Sequence, residues 1–401
     1  MKALFFENNI FRIIMTNIAI KFNKNAALGR LSPISYKSVS DPEIPNQRWL
    51  KVRNKICGLC GSDIHFIYME VDPKCFPAAI PGISRKYLGH ELLSEVVDVG
   101  SDVEGINIGD RVVLRIDWPS CFQMEFDPPC MQCADGNYML CENLGKIEPP
   151  VIDTGCGFSE YMIMHRSQPH KVPDEISDDE AVLIEPAACA VHGVLRDRPK
   201  KGDRILVIGC GTIGLMTIAV AKAIEPESRV YALAKYPFQV DAAMKIGADD
   251  VLMGSKDLFR DVAKRTDAQY IRGFFGNEIL LGGYDIIYDT IGNDRSINNA
   301  LRLSKAGGHV IILGINLKPG KIDYTPIWYQ EVQLSGINSH ANEYDSETSF
   351  DIATRLIAEK KINMEGLITH RYRLDDFKEA VNTFLDKSRS EAIKIVIDHE
   401  M

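Results

Sequence analysis

The sequence predicts an α/β fold in which the second half of the chain forms a doubly wound parallel sheet. An apolar run at 204–209 has the pattern of a buried strand and leads into a Gly-x-Gly-x-x-Gly turn at 209–214. Helical spacing follows at 215–224, and a second strand pattern occupies 229–233. Strands and helices that alternate in this way form a parallel sheet with helices on both faces. A chain of 401 residues is also too long for one hydrophobic core, so we expect two domains.

The other elements follow in order along the chain. Before residue 178 alternating patterns predict strands at 1–6, 49–56, 95–99 and 111–116. Residues 8–35 have the composition of an elaborated hairpin or insertion, and residues 117–150 are irregular and rich in Pro and Cys. After that point, helical spacing occurs at 178–194, 238–246, 296–303, 349–359 and 375–387, and strand patterns at 285–289, 309–315 and 392–398.

Composition and charge restrict the possible partners. The formal net charge of −9 argues against nucleic acid or an anionic membrane surface as the main partner. No apolar run approaches the ~20 residues that span a bilayer, and Glu7, Arg12 and Lys21 interrupt the apolar residues near the N-terminus, so we expect no signal peptide. We therefore expect a cytoplasmic protein whose ten cysteines are free thiols or metal ligands rather than disulfides.

The turn at 209–214 predicts a dinucleotide site. In such a fingerprint Gly209 makes the tight turn after the strand, Gly211 lets the backbone approach the pyrophosphate, and Gly214 lets the helix pack close to the strand. The phosphates would lie at the helix N-terminus near Thr212 and Ile213, because free N–H groups and the helix dipole favour anions. The alternative is an ordinary Gly-rich turn between a strand and a helix.

The end of the second strand indicates which dinucleotide binds. An acidic side chain there, ~20 residues beyond the turn, would bond the ribose 2′-hydroxyl and select NAD. This sequence has Ala234 and then Lys235, which does not repel a 2′-phosphate and could attract it. NADP is therefore favoured over NAD, unless Lys235 is merely exposed and the site accepts both. Thr290 and Gly292, after a later strand, are expected to border the nicotinamide.

A catalytic zinc site is predicted from Cys60, His90 and Glu185, with Glu91 as an alternating or additional ligand. Zinc accepts thiolate, imidazole and carboxylate donors, and three protein ligands leave one position open for water or substrate. Zinc makes a bound alcohol acidic enough to lose its proton near neutral pH, after which hydride leaves readily. Each residue alone has an ordinary structural explanation, and their ordered combination carries the prediction.

The released proton needs a path to solvent. Ser62 and His65 follow Cys60 closely in the sequence. A hydroxyl beside the reacting oxygen could pass the proton through the cofactor ribose to an imidazole near solvent. We therefore predict Ser62 and His65 as a proton relay and count Glu91, next to His90, among the catalytic residues.

A second zinc site is predicted in the irregular stretch, at about 117–145. Cys130, Cys133 and Cys141 have zinc-ligand spacing, and three thiolates need a fourth donor, either Asp127 or Cys121. A four-coordinate site has no open position, so this zinc would be structural and would hold a loop that apolar packing cannot. The alternative is a group of free thiols without a metal.

These motifs together resemble the zinc-containing medium-chain dehydrogenase/reductase family over nearly the whole chain. The resemblance is carried by the segments 58–65, 89–91, 155–161, 185–193, 209–214 and 306–308. It implies a GroES-like, mainly β catalytic domain split around a Rossmann domain, with segments expected at 1–187, 188–338 and 339–401. Only the Rossmann half is supported by sequence pattern alone.

The resemblance also implies a substrate class. Glu185-Pro186 resembles the polyol, threonine and sugar dehydrogenase branch, which implies a secondary alcohol such as a polyol as substrate, and the family implies a homodimer or homotetramer. Three features depart from the family pattern. Asp127 stands where the family usually has the first Cys of its lobe, Ala234 replaces the acidic residue that selects NAD, and the insertion at 8–35 lengthens the N-terminal segment. This insertion could border the substrate cleft or an oligomer contact.

Two other functions are open at this point. One is a carbonyl reductase of the same fold, because equilibrium and the cofactor ratio set the direction. The other is a catalytically idle binding or structural protein, against which the intact ligand and relay residues argue. Substrate specificity is expected in the loops 66–88, 117–126 and 316–345, where the aromatic residues could line a pocket but more often pack in a core: Tyr68, Trp118, Phe122 and Trp328.

Overall fold

The computed structural model describes residues 1–79, 87–115, 119–146, 150–344 and 347–401. Packing divides the chain into two compact units, Met1–Glu185 with Ile368–Met401, and Pro186–Leu367. The first boundary between the units, after Glu185, lies close to the expected boundary at 187/188. The chain returns to the first unit at Ile368 rather than at the expected residue 339. Residues after 339 stay with the second unit because Glu343 bonds there, with its Oε1 2.9 Å from Nδ1 of His192.

One mainly antiparallel sheet organises the first unit. Among the residues described, neighbouring strands follow the order Ile368–Tyr372, Lys394–Asp398, Trp49–Gly58, Glu91–Val99, Arg111–Leu114 and Pro169–Lys171, and Tyr161–His165 pairs with Trp49–Gly58. Alternate side chains of the long central strand, such as Leu50 and Val52, are fully buried in the core. The strands predicted at 49–56, 95–99 and 392–398 are confirmed.

The N-terminal segment is the elaborated hairpin that its composition predicts. Lys2–Phe6 pairs antiparallel with Ile34–Ser38. Between them the chain forms the helix Ile10–Ile20 and the 3₁₀ turn Lys24–Leu28. The side chain of Asn9 begins the helix by accepting from the backbone N–H of Arg12 at 3.1 Å.

The remaining helices of the first unit are short. They are Gly61–Ile67, Met131–Ala134, Asp178–Ala181, Phe377–Leu385 and Lys387–Ser390, with 3₁₀ turns at Phe76–Ala79, Tyr138–Leu140 and Leu374–Asp376. The single helix predicted at 178–194 is two helices: a capping box between Ser177 and Glu180 begins the short helix Asp178–Ala181, and Ile184–Leu195 follows as a second.

The second unit contains the predicted doubly wound parallel sheet. Within the described part of the chain, six strands lie in the order Asp250–Met253, Arg229–Ala234, Arg204–Ile208, Tyr284–Asp289, Ser304–Ile312 and Gln333–Gly336, and every neighbouring pair is parallel. In chain order this is 3-2-1-4-5-6, the Rossmann arrangement. The strand order reverses between Arg204–Ile208 and Tyr284–Asp289, which is where such sheets bind ligands.

Helices accompany this sheet; those at 212–224, 237–245, 294–303 and 349–358 are predicted by the sequence pattern, whereas those at 258–266 and 325–329 are not. They are Thr212–Ile224, Pro237–Lys245, Leu258–Thr266, Asp294–Leu303, Thr325–Tyr329 and Ser349–Ala358, with two small antiparallel hairpins, Gln269–Arg272 with Glu278–Leu281 and Asn342–Tyr344 with Glu347–Thr348. In the parts of the chain that the structure describes, no helix is both long and apolar enough to cross a membrane.

Candidate active site

Three of the predicted ligands meet where two elements of the first unit begin. Cys60 directly precedes the helix Gly61–Ile67, and His90 and Glu91 stand at the start of the strand Glu91–Val99. One donor atom from each of Cys60, His90 and Glu91 lies within 4.8 Å of the other two. His90 and Glu91 are buried, whereas Cys60 is partly exposed, so the thiol is the accessible donor of the three.

Asp63, which the sequence analysis did not single out, fixes this arrangement. Its buried carboxylate accepts from the backbone N–H of Cys60 and from that of Gly89, both at 3.1 Å. Its Oδ1 also lies 3.8 Å from Nδ1 of His90. Burial alone lowers the pKa of His90, but Asp63 and Cys60 outweigh it and raise that pKa well above its usual value. The spacing of a capping box between residues 60 and 63 is the signal that could have identified Asp63.

Lys394 is a second residue that the sequence analysis missed. Its Nζ forms an ion pair with Oε2 of Glu91, and both side chains are only 2% exposed. Burial lowers the pKa of Lys394, but Glu91, Cys60 and Glu185 raise it, and the net shift is upward. Gly58 leaves room for the pair, because a Cβ there would lie 2.1 Å from Oε2 of Glu91. A lysine inside an apolar strand pattern is the available sequence signal.

Glu185 lies near this group but not within it. It occupies the first turn of the helix Ile184–Leu195, and its charge raises the pKa of Lys394. Its carboxylate is not among the donor atoms that lie within 4.8 Å of one another. The structure thus groups Cys60 and His90 with Glu91 and leaves Glu185 at the periphery.

The two predicted relay residues have different surroundings. Oγ of Ser62 is buried and has no hydrogen-bond partner among the described residues. A buried hydroxyl without a partner is costly, which is typical of a group that meets a ligand. His65 is partly exposed, and its Nδ1 lies 2.6 Å from Oε2 of Glu70. One residue of the pair is therefore turned inward and the other reaches solvent.

Four cysteines come together in the irregular stretch of the first unit. The sulfur atoms of Cys121, Cys130, Cys133 and Cys141 lie within 4.8 Å of one another, and those of Cys121 and Cys141 are 3.7 Å apart. The fourth donor is therefore the thiol of Cys121, and the carboxylate of Asp127 is not part of the group. The turn that follows Cys121 explains this grouping, because it brings the Cys121 sulfur within 3.3 Å of the backbone nitrogen of Cys130.

Backbone N–H groups also point at Cys130. Its sulfur accepts from the N–H of Cys133 at 3.5 Å and from that of Glu142 at 3.4 Å. Burial raises the pKa of the Cys130 thiol, but these two donors outweigh it and lower the pKa to about 7. The peptide therefore stabilises a thiolate, which is the form that binds metal.

In the second unit, the glycine turn has the predicted geometry. Gly209 has φ of +97°, a value that L side chains rarely adopt. A Cβ on Gly214 would lie 1.8 Å from the carbonyl oxygen of Gly209. The helix can therefore approach the turn this closely only because residue 214 has no side chain. Gly211 caps the helix Thr212–Ile224, and a Cβ there would meet no atom within 4 Å. Open space therefore lies beside Gly211, at the N-terminus of this helix.

The loop after Tyr284–Asp289 lies against this turn. Oγ1 of Thr290 donates to the carbonyl oxygens of Ile208 at 2.9 Å and Gly209 at 3.1 Å. Gly292 has φ of +75°, and its N–H donates to the buried carboxylate of Asp289 at 3.1 Å. The structure thus brings Thr290 to the glycine turn and has Asp289, which the sequence analysis did not name, hold the loop.

Lys235 follows the buried end of the strand Arg229–Ala234 and is exposed. Its Nζ lies 5.0 Å from the centre of the Tyr236 ring, and its backbone N–H donates to the side chain of Gln239 at 3.1 Å. The strand end therefore presents a cation and an aromatic face, with no acidic side chain at residue 234 or 235.

The aromatic residues considered as pocket lining are dispersed. Tyr68 is buried in the core of the first unit, and Phe122 packs edge-to-face on Tyr138 with ring centres 5.6 Å apart. Trp328, in the second unit, is largely exposed and packs against Tyr329. Trp118 lies outside the described residues.

Comparison with known proteins agrees with this fold. Residues 46–174 match the family model described as "Alcohol dehydrogenase GroES-like domain", and residues 212–359 match "Zinc-binding dehydrogenase". The fold and the site define an oxidoreductase of the zinc-binding dehydrogenase class. The chain belongs to the zinc-containing medium-chain dehydrogenase/reductase family, so the GroES-like and Rossmann expectations are both confirmed.

Individual relatives span nearly the whole chain. D-arabinitol dehydrogenase 1 of Uromyces fabae is 29% identical over 85% of this chain and 87% of its own length. The crystal structure of 2R,3R-butanediol dehydrogenase from Bacillus subtilis has a TM-score of 0.74 at 25% identity and covers 99% of both chains. A putative zinc-binding dehydrogenase from Sinorhizobium meliloti 1021, bound to NADP, has a TM-score of 0.70 at 27% identity and covers 91% of this chain and 96% of its own.

Proposed function

We propose that this enzyme oxidises a secondary alcohol of the polyol class with NADP, and that Cys60, His90 and Glu91 hold the catalytic zinc. The observation that carries the proposal is the meeting of these three donors beside the unpartnered hydroxyl of Ser62. The substrate class is supported by the relatives that act on D-arabinitol and 2R,3R-butanediol.

The donor set fits zinc. A thiolate, an imidazole and a carboxylate are the donors that catalytic zinc sites combine. When bound, zinc polarises the alcohol oxygen and the nicotinamide takes up hydride. Asp63 positions Cys60 and His90 relative to each other, and the positive charge of Lys394 compensates the negative charge of Glu91. Glu185 is proposed to act from the edge of the group, as an exchanging ligand or through water.

The chain's own residues are proposed to carry the proton. Oγ of Ser62 accepts it from the substrate hydroxyl, since this buried atom has no other partner among the residues that the structure describes. His65 receives it near solvent, where its Nδ1 lies 2.6 Å from Oε2 of Glu70. A hydroxyl of the cofactor ribose is the proposed link between the two.

A structural zinc is proposed for the four-cysteine group formed by Cys121, Cys130, Cys133 and Cys141. Four thiolates complete a tetrahedron and leave no open position, so this site holds the loop rather than a substrate. The backbone donors to the sulfur of Cys130 support a thiolate at that residue.

The cofactor is proposed to lie on the turn formed by Gly209, Gly211 and Gly214, with Thr290 and Gly292 on the nicotinamide side. NADP is preferred because Lys235 offers a cation where an NAD-selective site has a carboxylate. The NADP-bound relative from Sinorhizobium meliloti supports this choice. We further propose that the protein is cytoplasmic, since a reducing compartment keeps ten cysteines free. We also propose that it forms a homodimer or homotetramer.

The test combines metal analysis with activity in both directions. We expect two zinc ions per chain and faster oxidation of D-arabinitol, sorbitol or 2,3-butanediol with NADP than with NAD. Cys60→Ser should abolish activity and remove one zinc, and Ser62→Ala should lower kcat by roughly 10²-fold while zinc stays. Cys75→Ser, at a buried cysteine outside both groups, is the matched control and should change neither.

Opposite outcomes separate the alternatives. Activity only with carbonyl substrates and NADPH would identify a reductase. A folded protein that binds neither zinc nor either dinucleotide would overturn the enzyme proposal and leave an idle scaffold. Activity unchanged in Cys60→Ser would remove Cys60 from the catalytic group.

A further inference from the structure

The helix Ile10–Ile20 carries its apolar residues on the side that faces solvent. At 100° per residue these side chains fall within one arc of the helix. We call this arc, together with Phe22 two residues beyond the helix, the apolar face; its members and exposed fractions are Ile10 75%, Phe11 64%, Ile14 53%, Met15 38%, Ile18 49% and Phe22 88%. Exposed aliphatic and aromatic residues so close together are unusual on a water-exposed surface.

The opposite side of the helix attaches it to the first unit, mainly by polar contacts. Thr16 is the buried residue of the helix, and its hydroxyl donates to the carbonyl oxygen of Leu31 at 2.9 Å. Nη2 of Arg12 donates to the carbonyl oxygen of Arg30 at 3.2 Å, and Ile20 packs against the core. The apolar face is therefore not what fastens the helix, in contrast to an ordinary surface helix that buries its apolar stripe.

The same segment is basic although the whole chain is acidic. Residues 8–40 contain no Asp or Glu, whereas the chain has a net charge of −9; the five basic residues of the segment are Arg12, Lys21, Lys24, Arg30 and Lys37. Arg12 and Lys37 pair with Glu7. Lys21, Lys24 and Arg30 have no carboxylate partner within the described residues and remain available.

We propose that the apolar face binds the surface of an anionic phospholipid bilayer, with the helix lying in the plane of the interface. Basic side chains next to a face of Ile and Phe are the composition of interfacial helices. The cations meet the lipid phosphates and carboxylates while the apolar side chains enter the acyl boundary. A helix of 11 residues is about 16 Å long, so it lies on the bilayer and does not span it.

The charge favours lipid over a second copy of the chain as the occupant. Two copies that met through this face would bring two sets of unpaired cations together, and like charges so placed repel. The expectation of no membrane partner rested on the net charge of −9, which averages over the chain and conceals this local excess of cations.

This surface is also separate from the proposed chemistry. The match to the GroES-like family model begins at residue 46, so the helix lies before the matched residues. Its residues contribute no donor to either metal group. Membrane binding would thus place the enzyme at a surface without changing its site, and its test does not depend on the proposed function.

The test is flotation of the full chain with lipid vesicles. We expect it to float with phosphatidylcholine vesicles that contain phosphatidylserine and to remain in solution with phosphatidylcholine alone. The double substitution Ile14→Ser and Ile18→Ser should lower the partition coefficient by about tenfold or more. Lys21→Gln with Lys24→Gln should lower it by about fivefold for each charge removed. Ile108→Ser, at an exposed isoleucine elsewhere in the first unit, is the control and should change nothing.

Three results would overturn the proposal. They are absence of binding to the anionic vesicles, equal binding to both vesicle types, and binding that neither double substitution reduces. A dimer that the two Ile→Ser changes dissociate, without any flotation, would assign the face to a second copy instead. Circular dichroism checks that each variant is folded. If the isoleucine variant is unfolded, the lysine variant, which is changed only at exposed residues, tests the membrane proposal.

Discussion

The glycine turn of the second unit permits a sharp prediction, because two of its glycines differ in the space around them. A Cβ at residue 214 would lie 1.8 Å from the carbonyl oxygen of Gly209 and 2.8 Å from its carbonyl carbon. Ordinary carbon–oxygen contacts are about 3.3 Å or longer, so Gly214→Ala must move backbone by more than about 1 Å. Overpacking of this kind costs about 1–3 kcal/mol, and we expect the upper end because the neighbour is main chain.

Gly211→Ala is the matched substitution. A Cβ at residue 211 meets no heavy atom within 4 Å, and the φ of −84° suits alanine. The free energy of unfolding should change by no more than about 1 kcal/mol, because alanine restricts the unfolded chain but is a poorer N-cap residue than glycine. Cofactor binding should nevertheless weaken, since the methyl group would occupy space that a dinucleotide fingerprint keeps for the pyrophosphate.

Two measurements separate these effects. Urea denaturation gives the free energy of unfolding, and titration with NADPH gives the dissociation constant. Gly214→Ala should lower both stability and affinity, whereas Gly211→Ala should lower affinity alone. The reasoning fails if Gly214→Ala is as stable as the parent protein, or if Gly211→Ala destabilises to the same extent.

Three further predictions concern the first unit. Lys394→Met leaves the buried carboxylate of Glu91 without a partner and should cost about 3–5 kcal/mol in urea denaturation; adding Glu91→Gln should recover most of that loss, and no recovery would contradict the buried pair. Burial lowers the pKa of His165 to about 4, so as the pH falls below ~6.5 the unfolded chain binds the proton first. Stability should therefore fall between pH 6.5 and 4, by at most about 3 kcal/mol, and His165→Gln should remove that part of the slope. Cys121→Ser should lose one zinc per chain by metal analysis, whereas Asp127→Asn should retain it; the reverse result would restore Asp127 as the ligand.

The parts of the molecule that sequence predicts best are contiguous in the chain. The strand Arg204–Ile208, the glycine turn and the helix Thr212–Ile224 follow one another, so local pattern alone indicates their geometry. Cys60 and His90 were found because each lies in a short motif at an element boundary. In both cases the physical signal is carried by neighbouring residues, and no distant contact needs to be known.

Residues that depend on distant packing were missed or misassigned. Lys394 lies 303 positions after Glu91, and only the sheet brings the strand Lys394–Asp398 beside Trp49–Gly58. The sequence left Asp127 and Cys121 open as the fourth donor because a turn, rather than proximity in sequence, decides which side chain faces the other cysteines. Short strands such as Asp250–Met253 have too few residues for a periodic pattern and were not recognised.

The two metal groups differ in how much of the chain must exist before they can form. The four cysteines lie within residues 121–141, so a ribosome that has completed that stretch has already supplied every thiol of the lobe. The other group draws on residues 60, 90 and 91, and the carboxylate of Glu91 finds its counter-charge only when Lys394 has been synthesised. A metal bound by the four cysteines could therefore be taken up early and locally during translation, whereas the group at residues 60, 90 and 91 gains its counter-charge only with one of the last strands of the sheet.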